Sequence, residues 1–112
     1  MINVKLNNGV EIPIVGLGTF RSKPEEVYQA VIDALNAGYR HIDTAMIYGN
    51  EEAIGKAIKD SKIPRNQLFI TTKLWNTDQG YESTKKAFNL SLKKLDLDYV
   101  DLYLIHWFKG YE

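Results

Sequence analysis

The sequence predicts an α/β fold in which parallel strands alternate with helices. Three observations carry this. Short apolar, strand-like runs begin near positions 15, 40, 68 and 99, and a spacing of about 25–30 residues is that of one strand–helix unit. The segments between them carry apolar stripes at helical period. No low-complexity tract or linker divides the 112 residues, so 1–112 reads as a single domain. Strands alternating with helices imply right-handed crossovers and a parallel sheet. By pattern alone, a small doubly wound domain and part of a (β/α) barrel both satisfy these observations.

The elements follow in order. INVKLNNGVEI reads as a β-hairpin, with Val4 and Leu6, then Val10 and Ile12, alternating with polar residues. Asn8-Gly9 offers the positive φ angles of a tight turn, and Pro13 ends the second strand. IVGLGTF is a short apolar strand that runs into a glycine-bearing loop. In SKPEEVYQAVIDALNAG, Ser22 and Glu25 form a capping box and Pro24 suits the first turn. Val27, Ala30, Val31, Ala34 and Leu35 give this helix its apolar stripe, and Gly38 stands where a left-handed cap is expected. YRHIDTA is the next strand. NEEAIGKAIKD is a second helix, with Asn50 as cap and acidic residues in its first turn. QLFITTKLW is rich in β-branched and aromatic residues and reads as a strand. GYESTKKAFNLSLKKLD is a third helix, with Tyr81, Thr84, Phe88, Ser91 or Leu92, and Leu95 on one face. YVDLYLIHW is the last strand.

Composition narrows the function classes. Hydrophobic residues make up 45% and charged residues 25%, a globular balance. Lys+Arg and Asp+Glu are both 14, so the net charge is zero, which argues against gripping nucleic acid or an anionic membrane surface. Without cysteine there is no disulfide, thiolate metal site or cysteine nucleophile. The start, MINVKLNNGVEIP, lacks the basic and apolar regions of a signal peptide. No apolar run approaches the roughly 18 residues of a membrane span. A cytoplasmic location is therefore expected.

In either architecture, chemistry collects at the carboxyl ends of the parallel strands. The second strand ends at Asp43 with Tyr48 just beyond; the third ends at Lys73 and the fourth at His106. This set suits carbonyl reduction. A carbonyl that accepts hydride builds negative charge on oxygen and then needs a proton. Tyr can supply it, but an unperturbed phenol, with a pKa of about 10, is a reluctant acid. A neighbouring Lys ammonium favours the phenolate, a carboxylate keeps that Lys charged, and a His can orient the carbonyl oxygen. Taken singly, each side chain has an ordinary structural explanation: a solvated Lys, a turn-forming Asp, a packed Tyr, a satisfied core His. His41 shares a strand face with Asp43, yet no third ligand stands at suitable spacing, so no metal site is expected.

Together, the four contexts resemble the aldo-keto reductase family. VGLGTF resembles its first barrel strand, GYRHIDTAMIYGNEEAIGKAI the segment around its catalytic Asp and Tyr, FITTKLW the strand of its Lys, and LDLDYVDLYLIHW that of its His. The resemblance implies an N-terminal hairpin followed by the first half of a (β/α)₈ barrel, with four parallel strands and three helices. It implies Asp43, Tyr48, Lys73 and His106 as the catalytic tetrad, with Tyr48 as the proton donor. It implies NADPH as hydride donor, with Thr19, Phe20 and Asp43 at the cofactor. Phe20, Trp75 and Trp107 would wall the pocket for a small carbonyl substrate.

A complete (β/α)₈ barrel takes about 250 residues. This sequence ends in FKGYE before a fourth helix, and Phe108 stands where the family usually has Pro. The resemblance places most of the cofactor cradle on later strands. A truncated half barrel is therefore expected, and with it an alternative function: an inactive remnant or self-associating module. Its inner face is expected to be apolar and its edge strands open, which favours a homo-oligomer in which each first strand meets a partner's fourth.

Overall fold

The computed structural model describes residues 2–108. A two-stranded antiparallel hairpin, β1 (Asn3–Lys5) and β2 (Glu11–Pro13), precedes a four-stranded sheet. That sheet comprises β3 (Leu17–Gly18), β4 (His41–Asp43), β5 (Phe69–Leu74) and β6 (Leu102–Ile105), in sequence order and all parallel. Helices α1 (Pro24–Asn36), α2 (Glu51–Ser61) and α3 (Tyr81–Leu95) connect successive strands. The alternation predicts the parallel strand–helix units, and the hairpin with four strands and three helices is the half barrel that the resemblance implies. The last residues of the FKGYE segment lie outside the described residues.

The hairpin turn differs from the expected one. Gly9 alone takes a positive φ, +87°. Leu6 N–H donates to Val10 O and Gly9 N–H to Leu6 O. The loop is therefore three residues with a left-handed glycine at its end, a common alternative to the two-residue turn. The Asn8 side chain accepts from Val10 N–H at 3.0 Å instead of lending its backbone to a left-handed bend.

The apolar stripes pack as expected on one side of the sheet. Val27, Val31 and Leu35 of α1 meet Ile54, Ala57 and Ile58 of α2, over Ile42 of β4 and Ile70 of β5. Leu95 closes this core from the end of α3. Burying such side chains stabilises by roughly 25 cal/mol per Å² of apolar surface. Gly55 lets α2 and the end of α3 approach closely: a Cβ there would lie 2.3 Å from Leu95 O.

Three local expectations are corrected. The cap of α1 is Lys23, with Pro24 at the first helical position, and no side chain caps the helix. Ser22 lies one residue too early, so no capping box forms. Tyr81, grouped with Thr84, Phe88 and Leu95 on one face of α3, is 79% exposed and does not share the burial of Leu95, whereas Ala87 is buried. Tyr81 is the first residue of the helix. The inner sheet face, expected to be apolar, is mixed. His41 Nε2 lies 3.1 Å from Thr71 Oγ1, Lys73 pairs with Asp43, and both contacts lie across β4 and β5. Gly38 does take a positive φ, +102°, one residue past the Ala37 cap. The other two helices end on left-handed Lys62 and Asp96, positions that carry no glycine signal.

Candidate active site

The carboxyl ends of β3 to β6 form one rim. Parallel register puts Gly18 beside Asp43, Asp43 beside Thr71, and Lys73 beside Leu104. Alternation along β5 sends Thr72 toward the helices, where it meets Glu51, and Lys73 to the opposite face. Lys73 Nζ reaches back across the strand pair. It donates to the Asp43 carboxylate and, at 2.9 Å, to the Thr44 carbonyl. The Lys73 side chain is 13% exposed and that of Asp43 40%, so the pair is partly withdrawn from water at the rim.

Tyr48 is carried by a short 3₁₀ turn, Met46–Tyr48, closed by Gly49 at φ +71°. The left-handed glycine lets the chain turn into α2 directly after the tyrosine. The Tyr48 ring lies with its centroid 5.5 Å from Lys73 Nζ. His106 follows β6, and its N–H continues the ladder by donating to Leu74 O. Its ring stands edge-on to Tyr48 at 5.7 Å and to Trp75 at 5.4 Å, and stacks on Trp107 at 6.2 Å. Phe20 packs on the other side of Tyr48, at 5.3 Å. Burial, assisted by the Lys73 ammonium and opposed by the Asp43 carboxylate, holds the His106 imidazole below its ordinary pKa. His106 Nδ1 is buried and has no hydrogen-bond partner among the described residues.

The structure thus brings Asp43, Tyr48, Lys73 and His106 together on one rim. Phe20, Tyr48, Trp75, His106 and Trp107 line an open cleft of about 600 Å³, with Ile47 and Arg21 at its margin. An apolar, aromatic cleft with a few convergent polar groups is a ligand-site signature. Thr19 stands apart from the cleft. It is 1% exposed, and its Oγ1 lies 2.9 Å from Thr44 Oγ1, so it supports the loop from beneath while Phe20 supplies the surface. His41 lies lower in the half barrel, its Nδ1 3.4 Å from Pro13 O and its ring packed on Phe69. Among the described residues, no group of three or more His, Asp or Glu side chains could hold a metal ion.

Two buried residues near the site escaped sequence reasoning. Asn50 starts α2 as expected, but its side chain does not cap the helix. It accepts from Thr44 Oγ1 and donates to the carbonyls of Thr19 and Ser22, each at 3.0 Å. Glu51, read as a first-turn charge, is 2% exposed and accepts from Thr72 Oγ1 at 2.7 Å and Ser91 Oγ at 3.1 Å. The density of polar residues in YGNEE was the available signal.

The open parallel half barrel thus presents a tyrosine, a lysine, an aspartate and a histidine on one rim. Residues 14–112 match the aldo/keto reductase family, and the chain belongs to it. It is 60% identical over 104 residues to an aldehyde reductase of Saccharomyces cerevisiae, covering 93% of this chain and 33% of that protein. It is 57% identical over 105 residues to a glyoxal reductase of Bacillus subtilis, covering 93% of this chain and 38% of that protein. Among solved structures, an aldo-keto reductase enzyme from a Medee basin deep-sea metagenome library superposes with a TM-score of 0.93 at 71% identity, over 97% of this chain and 40% of that one. A Bombyx mori aldo-keto reductase in complex with NADP superposes at 0.92 and 47% identity, over 95% of this chain and 38% of that one. The chain therefore spans between a third and two fifths of the length of these relatives. Among the described residues, no helix is long and apolar enough to cross a membrane.

Proposed function

We propose that residues 1–112 act as one domain carrying the proton-donating site of an NADPH-dependent aldo-keto reductase, which converts aldehydes and ketones to alcohols. The observation that carries this reading is Lys73, whose ammonium binds the Asp43 carboxylate and lies 5.5 Å from the Tyr48 ring centroid. A tyrosine placed beside a carboxylate-paired lysine is equipped to release its proton to an oxyanion.

The roles follow from position. The small carbonyl substrate enters the cleft between Phe20, Trp75 and Trp107. His106 orients the carbonyl oxygen through Nε2, the ring nitrogen left over when Nδ1 is buried. NADPH, when bound, supplies the hydride to the carbonyl carbon. Tyr48 gives its phenolic proton to the oxygen, completing the alcohol, and the Lys73 ammonium stabilises the phenolate left behind. Asp43 holds Lys73 in place through their ion pair. Thr19, Phe20 and Asp43 are the residues that would hold the nicotinamide end, with Thr19 tying the Phe20 loop to Thr44 beside Asp43. The aromatic walls suit a flat ring; the phosphates of the dinucleotide fall to later strands, as the resemblance implies.

A second reading is favoured by a different observation. Ile105, Trp107 and Phe108 are 66%, 41% and 68% exposed, and β6 pairs only with β5 among the described strands. An inactive half barrel that associates with a second copy through β6 would cover this surface. Titration with NADPH, followed by tryptophan fluorescence and then by addition of a reactive aldehyde, separates the two. Quenching of Trp75 or Trp107 at micromolar cofactor, with NADPH consumed on aldehyde addition, supports the reductase. No binding at millimolar cofactor, together with a dimer in analytical ultracentrifugation, leaves the self-associating module.

A further inference from the structure

The five residues from Ala45 to Gly49, which carry Tyr48, make a loop whose two feet are joined by a side-chain bond. Thr44 Oγ1 donates to Asn50 Oδ1 at 3.0 Å, one foot to the other. Backbone turns alone do not fix such a loop against its neighbours. The Asn50 amide does so: Nδ2 donates to Thr19 O and Ser22 O, the carbonyls flanking Phe20 and Arg21. Only the amide nitrogen can face two carbonyls, so the orientation of this side chain is set by its partners. Thr19 Oγ1 closes the network on Thr44 Oγ1 at 2.9 Å. Asn50, Thr19 and Thr44 are each no more than 1% exposed, so water does not compete for these bonds. The carbonyl of the same Thr44 is the second acceptor for Lys73 Nζ.

We infer that Asn50 is a positioning residue: it locks the Tyr48 loop to the Phe20 loop and presents Tyr48 and the Thr44 carbonyl to Lys73 in one register. The inference rests on the reading of Tyr48 as proton donor. Asn50 touches neither substrate nor reacting atoms, and its effect passes through Thr44 and Thr19. An Asn serves where a hydroxyl cap would not, because the junction needs one acceptor and two donors on a single planar group. Left without Nδ2, the Ser22 carbonyl would lose its Asn50 partner and the Thr19 carbonyl would keep only the Ser22 N–H, with no bond tying either to the Tyr48 loop, and the loops would part to admit water.

The test uses the 112-residue chain and proton NMR of its aromatic rings. In the parent protein, Phe20 and Tyr48 are in contact, and so are Phe88 and Tyr103, at 4.9 Å between centroids, which reports on α3 and β6. Asn50→Ala should lose the Phe20–Tyr48 cross-peaks and keep those of Phe88–Tyr103. Thr44→Val, which removes the bridging hydroxyl at constant shape, should do the same, and Thr44→Ser should restore the contact. A folded Asn50→Ala or Thr44→Val that retains the Phe20–Tyr48 cross-peaks overturns the inference. Should Asn50→Ala fail to fold, the Val and Ser pair decides alone. These contacts are read without cofactor, so failure to bind or consume NADPH would sink the reductase reading and leave this result standing.

Discussion

The imidazole of His106 stands edge-on to the ring of Tyr48, with centroids 5.7 Å apart and planes at 81°. The two arrive from different strand ends, β6 and β4, so their contact depends on the whole parallel register. It also sets a pH dependence. Burial first, and the Lys73 ammonium second, hold the folded His106 below its ordinary 6.5, with Asp43 opposing. The folded state then prefers the neutral ring. The stability this contributes is complete above the unfolded value of about 6.5 and is lost as pH falls through the folded one. NMR titration should give His106 a midpoint below that of an exposed histidine. Urea unfolding should show less stability at acidic pH, with a shallower pH slope in His106→Gln. A midpoint at or above the ordinary value would contradict the geometry.

Gly55 tests the packing of the helix layer. Gly→Ala in an exposed helix stabilises by about 1 kcal/mol through propensity. Here the new Cβ would meet the backbone of Leu95 at 2.3 Å, and backbone cannot rotate away as a side chain can. Gly55→Ala should therefore destabilise the fold, by about 1–3 kcal/mol, with a lower midpoint in chemical unfolding. A gain in stability would show that α2 and the end of α3 are not in contact.

Tyr103 packs its ring on Phe88, and its hydroxyl is buried without a hydrogen-bond partner among the described residues. Burial, then the charges of Glu51 and Asp78, push its pKa up to about 12. Folding here favours the neutral phenol, so this contribution holds below the ordinary 10.0 and disappears as pH rises through the folded value. Tyr28, whose hydroxyl bonds the Asp60 carboxylate, is also raised, so ultraviolet titration of the folded chain should show more than one late tyrosine, and Tyr103→Phe should remove the step near 12 and leave that of Tyr28. Because no bond is broken, that variant should change stability by less than about 1 kcal/mol. A large loss would mean that the hydroxyl has a partner.

Much of this architecture was legible in the sequence because it follows from period. Val27, Val31, Ala34 and Leu35 recur at helical spacing, and all four are buried. The carboxyl end of each strand could be counted, and so could the residues placed there. What escaped depended on approach between distant segments. Asn50 has the identity and position of a helix cap, but the Thr19 and Ser22 carbonyls drew its amide away from that role. Glu51 reads as a solvated first-turn charge until Thr72 and Ser91 meet it in the folded chain. Ser22 looked like a cap because it carries a hydroxyl, yet Pro24 at the first helical position places the cap at Lys23. The inner face was misjudged because His41 and Thr71 satisfy each other only after β4 and β5 pair.

The proposed chemistry converges on one phenolic oxygen. Comparing turnover of a reactive aldehyde by the parent chain and by Tyr48→Phe, each with saturating NADPH, tests it most directly. The ring is kept and only the proton is removed, so packing against Phe20 and His106 should persist. Loss of a general acid should lower turnover by at least about 10²-fold, with NADPH affinity nearly unchanged. Turnover by Tyr48→Phe at the parent rate would contradict the assignment and remove Tyr48 from the role of proton donor.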